Sequence, residues 1–387
     1  MNIGIDNIGF YTSNLYVDMA KLAKKRKEDP NKYLIGIGQE KMAVIPKTQD
    51  IVTMGANAAS QIITADIVND IDLVIVGTES GIDNSKSAAA YIANLLGLKN
   101  SIRTFEIKQA CYGATAGIQM AKDYIKAHPD KKALVVGADI AKYGLKTKGE
   151  PTQGGGAVAM IVSANPKLLA FDGDSTYHAE DVMDFWRPLG YTEAKVDGKF
   201  STNIYLDFLS HVYGDYQVKY GTSLTDFASF AFHLPYTKQG LKAIKFLIQN
   251  ETEDIQESYL RKFEASRKYN KVVGNLYTGS LYLSLLSLLD NADFLKAQDK
   301  IGLYSYGSGA QGEFFAMKVV EGFQNVLTNT TKDLLAKRQE VSVEDYEKIY
   351  QSALNYRDDD EIDVTQDQSK FVLARIEDTQ RIYIKQF

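Results

Sequence analysis

Cys111 is the only cysteine in the chain, and it stands where a strand-like run gives way to a helix-like one. Upstream, IRTFEIK alternates loosely; downstream, YGATAGIQMA stays small and apolar until Lys122 and Asp123. A thiol at a helix N-terminus faces unpaired backbone N–H groups and the positive end of the helix dipole, which favour the thiolate. That address suits a nucleophile, and the competing reading is a buried thiol behaving as a small hydrophobe. Glu79 and His233 end two apolar runs, and Asn275 precedes another. A carboxylate at the end of a buried strand is desolvated enough to act as a base, and an imidazole changes protonation near neutral pH. An amide exchanges no proton but can hydrogen-bond a carbonyl or orient a histidine. Taken singly, Glu79 could equally be a polar loop residue or a cap, and His233 a satisfied core histidine.

The elements that carry these residues occur twice. DLVIVGTE (72–79) and DFASFAFH (226–233) have the same length, the same opening aspartate and an ionisable last residue. Both read as buried strands of a parallel sheet. The helix after Cys111 has its counterpart in SLYLSLLSLL after Asn275, apolar nearly all round as helices inside a protein are. Each half then closes with a strand, a glycine-rich turn and a strand, ALVVGADIAKYG to GEPTQGGGAVAMIVS and IGLYSYGSGAQGEFFAMKVV. The glycines at 154–156 have neither the lysine of a phosphate loop nor the GxGxxG spacing of a dinucleotide site, so no nucleotide site is expected there.

This pattern predicts an α/β fold built by internal duplication, residues 1–165 and 166–387, with five layers ordered α-β-α-β-α. The two apolar helices would meet between the sheets. Ligands in open α/β sheets bind at strand ends and helix starts, so the four residues would converge near a pseudo-twofold axis. From about residue 325 the chain turns polar, carries RDDDEID at 357–363 and ends in KFVLARIEDTQRIYIKQF. This stretch reads as an appended subdomain or edge hairpin with a solvated acidic loop.

Composition excludes several classes. With 44 basic and 49 acidic residues the net charge is −5, which offers no global attraction for nucleic acid or anionic membranes. One cysteine rules out an intramolecular disulfide framework, and four scattered histidines give no zinc spacing. No apolar run reaches the length of a membrane span, and MNIGIDNIGFYTSN lacks the features of a signal peptide. The expected compartment is the cytoplasm.

Seven segments carry a resemblance: GTES around Glu79, EIKQACYGATAG around Cys111, GEPTQGGGAVAM, DFWRP at 184–188, FHLPYTKQGLKA around His233, VGNLYTGSLYLSL around Asn275 and SYGSGAQGEF around Ser308. In this order, over essentially the whole chain, they resemble the thiolase superfamily and within it the hydroxymethylglutaryl-CoA synthase family. The resemblance implies a thiolase-like fold, a homodimer, and condensation of acetyl-CoA with acetoacetyl-CoA and water to 3-hydroxy-3-methylglutaryl-CoA (HMG-CoA) and CoA. The CoA thioesters are substrates, and no cofactor is implied. Cys111 would accept the acetyl group, Glu79 would take a methyl proton from it, and His233 would act as acid toward the acetoacetyl ketone. Asn275 would hydrogen-bond a carbonyl, and Ser308 with the Cys111 amide would serve as oxyanion donors. Tyr143 and Thr152 would flank the same pocket, while Asp29, Ser201 and Lys242, with Lys238 one turn before it, would contact substrate. The run Lys24, Lys25, Arg26 and Lys27 is either a second phosphate contact or a solvated face. Two rivals stand beside this reading: an initiating β-ketoacyl synthase, which would need no base at Glu79, and a non-catalytic acyl-CoA-binding scaffold.

Overall fold

The computed structural model describes residues 1–354 and 356–387. The first half supplies β1 (Ile3–Tyr11), α1 (Ile51–Ala59), β2 (Ile71–Gly77), β3 (Arg103–Ile107), α2 (Gly113–Ala127), β4 (Lys132–Ala141) and β5 (Gly154–Ala164). The second supplies β6 (Leu169–Phe171), β7 (Thr176–Ala179), α3 (Gly198–Tyr220), β8 (Ser229–Phe232), α4 (Thr237–Ile248), α5 (Glu253–Val273), α6 (Ser280–Asn291), β9 (Lys300–Gly307) and β10 (Gln311–Val319). Beyond them lies α7 (Val343–Ser352).

The strands run β8-β9-β10-β6-β1-β5-β4-β2-β3, with β7 on β10. Pairing is parallel among β3, β2 and β4 and between β8 and β9, and antiparallel elsewhere. The two expected sheets are continuous through a narrow seam, where β1 and β6 share the pairs Gly4↔Ala170 and Ile5↔Leu169. The repeated aspartates diverge. Asp72 lies within β2, whereas Asp226 closes a capping box with Ser223 in a short 3-10 turn ahead of β8. Residues 154–156 form the start of β5 rather than a turn.

Helices complete the α-β-α-β-α layering. α1 covers one face of the first-half strands and α2 the other, α6 packs on β8 and β9, and α3 lies on the far side against β10. Every residue of α6 from Ser280 to Leu289 is buried, as its all-round apolar sequence requires. Each such leucine contributes about 1.5–3 kcal/mol by leaving water. The inner helices meet through hydroxyls: Thr115 Oγ1 lies 2.8 Å from both the Tyr282 hydroxyl and Ser305 Oγ.

The C-terminal region folds back onto the first half. Phe371 exchanges two hydrogen bonds with the Asn57 side chain on α1, and Arg381 and Tyr383 both donate to Asp50, the cap of α1. α7 buries Val343 and Tyr346 in a cluster with Val17, Leu22, Tyr33 and Met42. Most of the acidic run 357–363 is exposed, and Asp360 pairs with Lys47. Among the described residues no helix is long and apolar enough to cross a membrane.

Gly77 marks where β2 touches the start of α2, since a β-carbon there would lie 2.3 Å from the Ala114 amide nitrogen. Gly214 sits in the middle of α3 with nothing within 4 Å of the corresponding position. Gly77→Ala is expected to cost about 1–3 kcal/mol in urea unfolding, because backbone must shift. Gly214→Ala is expected to raise stability by up to about 1 kcal/mol through helix propensity. Equal losses at the two positions would contradict this account of the helix start.

Candidate active site

Glu79 follows the apolar strand β2 on a turn anchored by one buried carboxylate. Asp139, on β4 and fully covered, accepts from Thr78 Oγ1 at 2.9 Å and from the Glu79 amide at 2.8 Å. From the second half, the Thr278 amide and hydroxyl approach it at 3.0 and 2.6 Å. Cys111 stands two residues before α2, and its Sγ donates to Glu79 Oε1 at 3.1 Å. Burial, and then the negative charge of Asp139, push the Glu79 carboxyl up to about 8. The Cys111 thiol is held well above its ordinary value, by burial first and then by the Glu79 carboxylate beside it. The expected helix-terminus activation is therefore overridden in the resting site: desolvation and a like charge outweigh the dipole, and the sulfur keeps its proton.

His233 follows β8, with its backbone fixed at both ends. Its amide donates to the Tyr304 carbonyl at 2.9 Å, and its carbonyl accepts from the Tyr205 hydroxyl at 2.9 Å. Burial alone drives the imidazole down to about 3, so the ring is neutral at physiological pH. Its Nδ1 has no hydrogen-bond partner among the described residues. Asn275 Oδ1 is taken by the Tyr277 amide and Ser280 Oγ, both at 2.9 Å, which turns the amide nitrogen toward the Tyr143 hydroxyl at 3.4 Å. Its partners are thus Tyr143, Tyr277 and Ser280, and it does not bond to His233. The Tyr143 ring packs edge-on against Phe185 and Tyr277.

These groups face a pocket of ≈ 340 Å³. Cys111, Tyr143, Thr152, Ser201, His233, Asn275 and Ser308 all line it, with Glu79 directly behind Cys111. The Ser201 hydroxyl is occupied, donating to Asp184 Oδ2 at 2.9 Å. Asp184 is fully buried and also accepts from the Tyr306 hydroxyl at 2.8 Å and the Gly309 amide at 3.0 Å. One carboxylate therefore ties α3 to the turn bearing Ser308.

The charged candidates lie farther out. Lys242 reaches the hydroxyl of Tyr236, a pocket residue, at 3.3 Å. Lys238 and Asp29 are not among the pocket walls, and Asp29 is exposed in a turn where it accepts from the Asn31 amide. In the basic run, Lys25 pairs with Glu344, and Arg26 with Glu150 at 2.7 Å and Glu347 at 2.6 Å. Those two cations bind this chain's own carboxylates. Lys148, exposed at the pocket mouth, was missed because nothing separates a loop lysine in sequence from its neighbours. Asp139 did leave a signal, an acidic residue inside the apolar run ALVVGADIA. Asp184 opens the DFWRP run, and nothing in that run signals that its carboxylate is fully buried. His128, His178 and His211 lie outside the pocket. Among the described residues no cluster of potential metal ligands occurs.

Comparison with known proteins gives one answer. The family profile for the N-terminal part of hydroxymethylglutaryl-coenzyme A synthase matches residues 1–167, and that for its C-terminal part matches 169–258 and 252–383. The chain is 49% identical to the hydroxymethylglutaryl-CoA synthase of Enterococcus faecalis, across 99% of this chain and 100% of the relative. It is 33% identical to a polyketide-biosynthesis 3-hydroxy-3-methylglutaryl-ACP synthase of Bacillus subtilis, across 91% of this chain and 89% of that one. A crystal structure of an HMG-CoA synthase complexed with CoA superposes with a TM-score of 0.96 at 44% identity, each chain covered 100%. Another synthase, solved with 3-hydroxy-3-methylglutaryl-CoA, gives 0.90 at 36% identity and 99% of each chain. The chain belongs to the hydroxymethylglutaryl-CoA synthase family.

Proposed function

We propose that this protein is a cytoplasmic hydroxymethylglutaryl-CoA synthase of the mevalonate pathway, condensing acetyl-CoA and acetoacetyl-CoA with water to HMG-CoA and CoA. The observation that carries the reading is the 3.1 Å contact between Cys111 Sγ and Glu79 at the floor of a pocket that His233 also lines. Product analysis by mass spectrometry, from acetyl-CoA and acetoacetyl-CoA with the purified chain, tests it. Absence of the six-carbon acyl product would overturn it.

The chemistry follows from where the protons sit. Cys111 loses its proton as it attacks the acetyl thioester, and CoA leaves as the thiol. Splitting the reaction through a covalent thioester replaces one hard step by easier ones. Glu79, basic because it is desolvated, then takes a methyl proton from acetyl-Cys111. The resulting enolate carbon attacks the acetoacetyl C3 carbonyl. His233 is neutral, so it polarises that carbonyl by an N–H hydrogen bond and yields the proton only as an alkoxide forms. The Asn275 amide nitrogen supplies a second donor, and Ser308 with the Cys111 amide would serve the thioester oxyanion. Water finally cleaves the enzyme thioester and frees Cys111. Lys148 and Lys242, at and beside the mouth, suit the phosphates of CoA, with Lys238 and Asp29 farther out.

A homodimer is part of the proposal. Among the described residues β3 is an edge strand, paired only on its β2 side, and its residues from Thr104 to Ile107 are half-buried. A bare edge of this kind is a template for pairing with a second chain. Light scattering is expected to give twice the 43.0 kDa chain mass, and a monomer would remove this part.

Glu79→Gln leaves the Cys111 sulfur in place and takes away one of the lesser causes that raise its thiol, so Cys111 should still acetylate. Condensation is expected to fall by about 10²–10⁴-fold for want of the base. Mass analysis of the Cys111 peptide, read beside product formation, checks both halves, and unchanged turnover would sink the base assignment. Because Glu79 works unprotonated and its carboxyl is raised to about 8, the condensation rate should climb with pH through that region and level off above it. A pH–rate profile that stays flat from about pH 6 to 9 would contradict the assignment.

A further inference from the structure

The segment between β4 and β5, residues 142–153, forms one wall of the pocket and is pinned from outside the catalytic repeat. Its two ends are joined where the Tyr143 amide donates to Gln153 Oε1 at 2.7 Å. That bond fixes the orientation of the glutamine amide, leaving Nε2 to donate to the Tyr346 hydroxyl of α7 at 2.8 Å. The same hydroxyl donates to Glu150 Oε1 at 3.3 Å. Glu150 is 1% exposed and also receives two bonds from Arg26 at 2.7 Å and one from the Lys146 amide at 3.0 Å. At Gly149 a β-carbon would lie 2.7 Å from Tyr143 Cβ, so the tip of the segment rests directly on that tyrosine. Gln153, Tyr346 and Glu150 are thus joined by hydrogen bonds at their side-chain polar atoms, and buried networks of this kind specify one geometry.

We propose that Tyr346 is a positioning residue for the condensation, acting through Gln153 on Tyr143 and so on the donor angle of Asn275. On this account one hydroxyl from the C-terminal region, which the sequence presents as an appendage, helps to shape the acyl pocket. The inference rests on the pocket being the condensation site proposed above.

Tyr346→Phe keeps the ring and removes only the hydroxyl. Its expected effect is a kcat about 10-fold lower with little change in KM for acetyl-CoA, since positioning errors act on the reacting geometry more than on binding. Hydrogen–deuterium exchange in the peptide covering residues 143–149 should quicken as the Tyr143 amide bond loosens. Val343→Ala removes buried methyl groups from the same helix without touching the hydroxyl chain, and it should lower Tm while leaving kcat intact. A kcat for Tyr346→Phe within about twofold of wild type, unchanged exchange, or an equal kcat loss in Val343→Ala would overturn the proposal. Failure of the wild-type chain to form HMG-CoA would instead overturn the reading of the pocket, while the exchange measurement still decides whether Tyr346 holds Tyr143.

Discussion

Asp139 is the interaction on which the site depends. A carboxylate with no exposure is tolerated only if its oxygens are fully engaged, and these take the Thr78 hydroxyl and Glu79 amide on one side and Thr278 on the other. The first pair sets the turn that carries Glu79, and Thr278 lies just ahead of α6. One side chain on β4 thus joins the turn after β2 to the turn before α6. Removing one donor from such a buried carboxylate typically costs about 1–3 kcal/mol, because the oxygen left without it has no water to turn to. The same charge lifts the Glu79 carboxyl, so the group that builds the site also tunes it.

A common logic governs the three reactive groups. Glu79, Cys111 and His233 are all displaced toward their uncharged forms, with burial as the first cause in each case. For a carboxylate this displacement raises basicity, and for an imidazole it makes a neutral donor in place of a cation. For the thiol it favours the protonated form. A base strengthened by burial is what proton removal next to a thioester would call for, and ordinary side chains supply it here.

Much of this was legible in the sequence, for identifiable reasons. The continuous apolar run of β2, the all-round apolar α6 and the strand pair closing each half are signals of local periodicity and burial, and the structure follows them. Seven of the proposed residues line one pocket, with Glu79 against it. What escaped depends on partners distant in the chain. The basic run at 24–27 looked available for phosphate, yet Lys25 and Arg26 meet carboxylates more than a hundred residues away. Asp226 matched Asp72 in spacing and took a capping role, because β8 begins later than its pattern implied. The thiol's helix-terminal address was right, but burial first, and then the charge supplied by a different strand end, raise its proton affinity.

The withheld proton on Cys111 has a consequence outside the reaction itself. Peroxide and other electrophiles attack thiolates far faster than thiols, and oxidation beyond the sulfenic stage is not readily reversed. A nucleophile that stays protonated behind a carboxylate, within a pocket walled by Tyr143 and Phe185, presents little thiolate to such reagents between turnovers. The chain has no second cysteine to trap a sulfenic acid as an intramolecular disulfide. The slow reaction expected of its one sulfur with such reagents follows first from burial and then from the Glu79 carboxyl beside it.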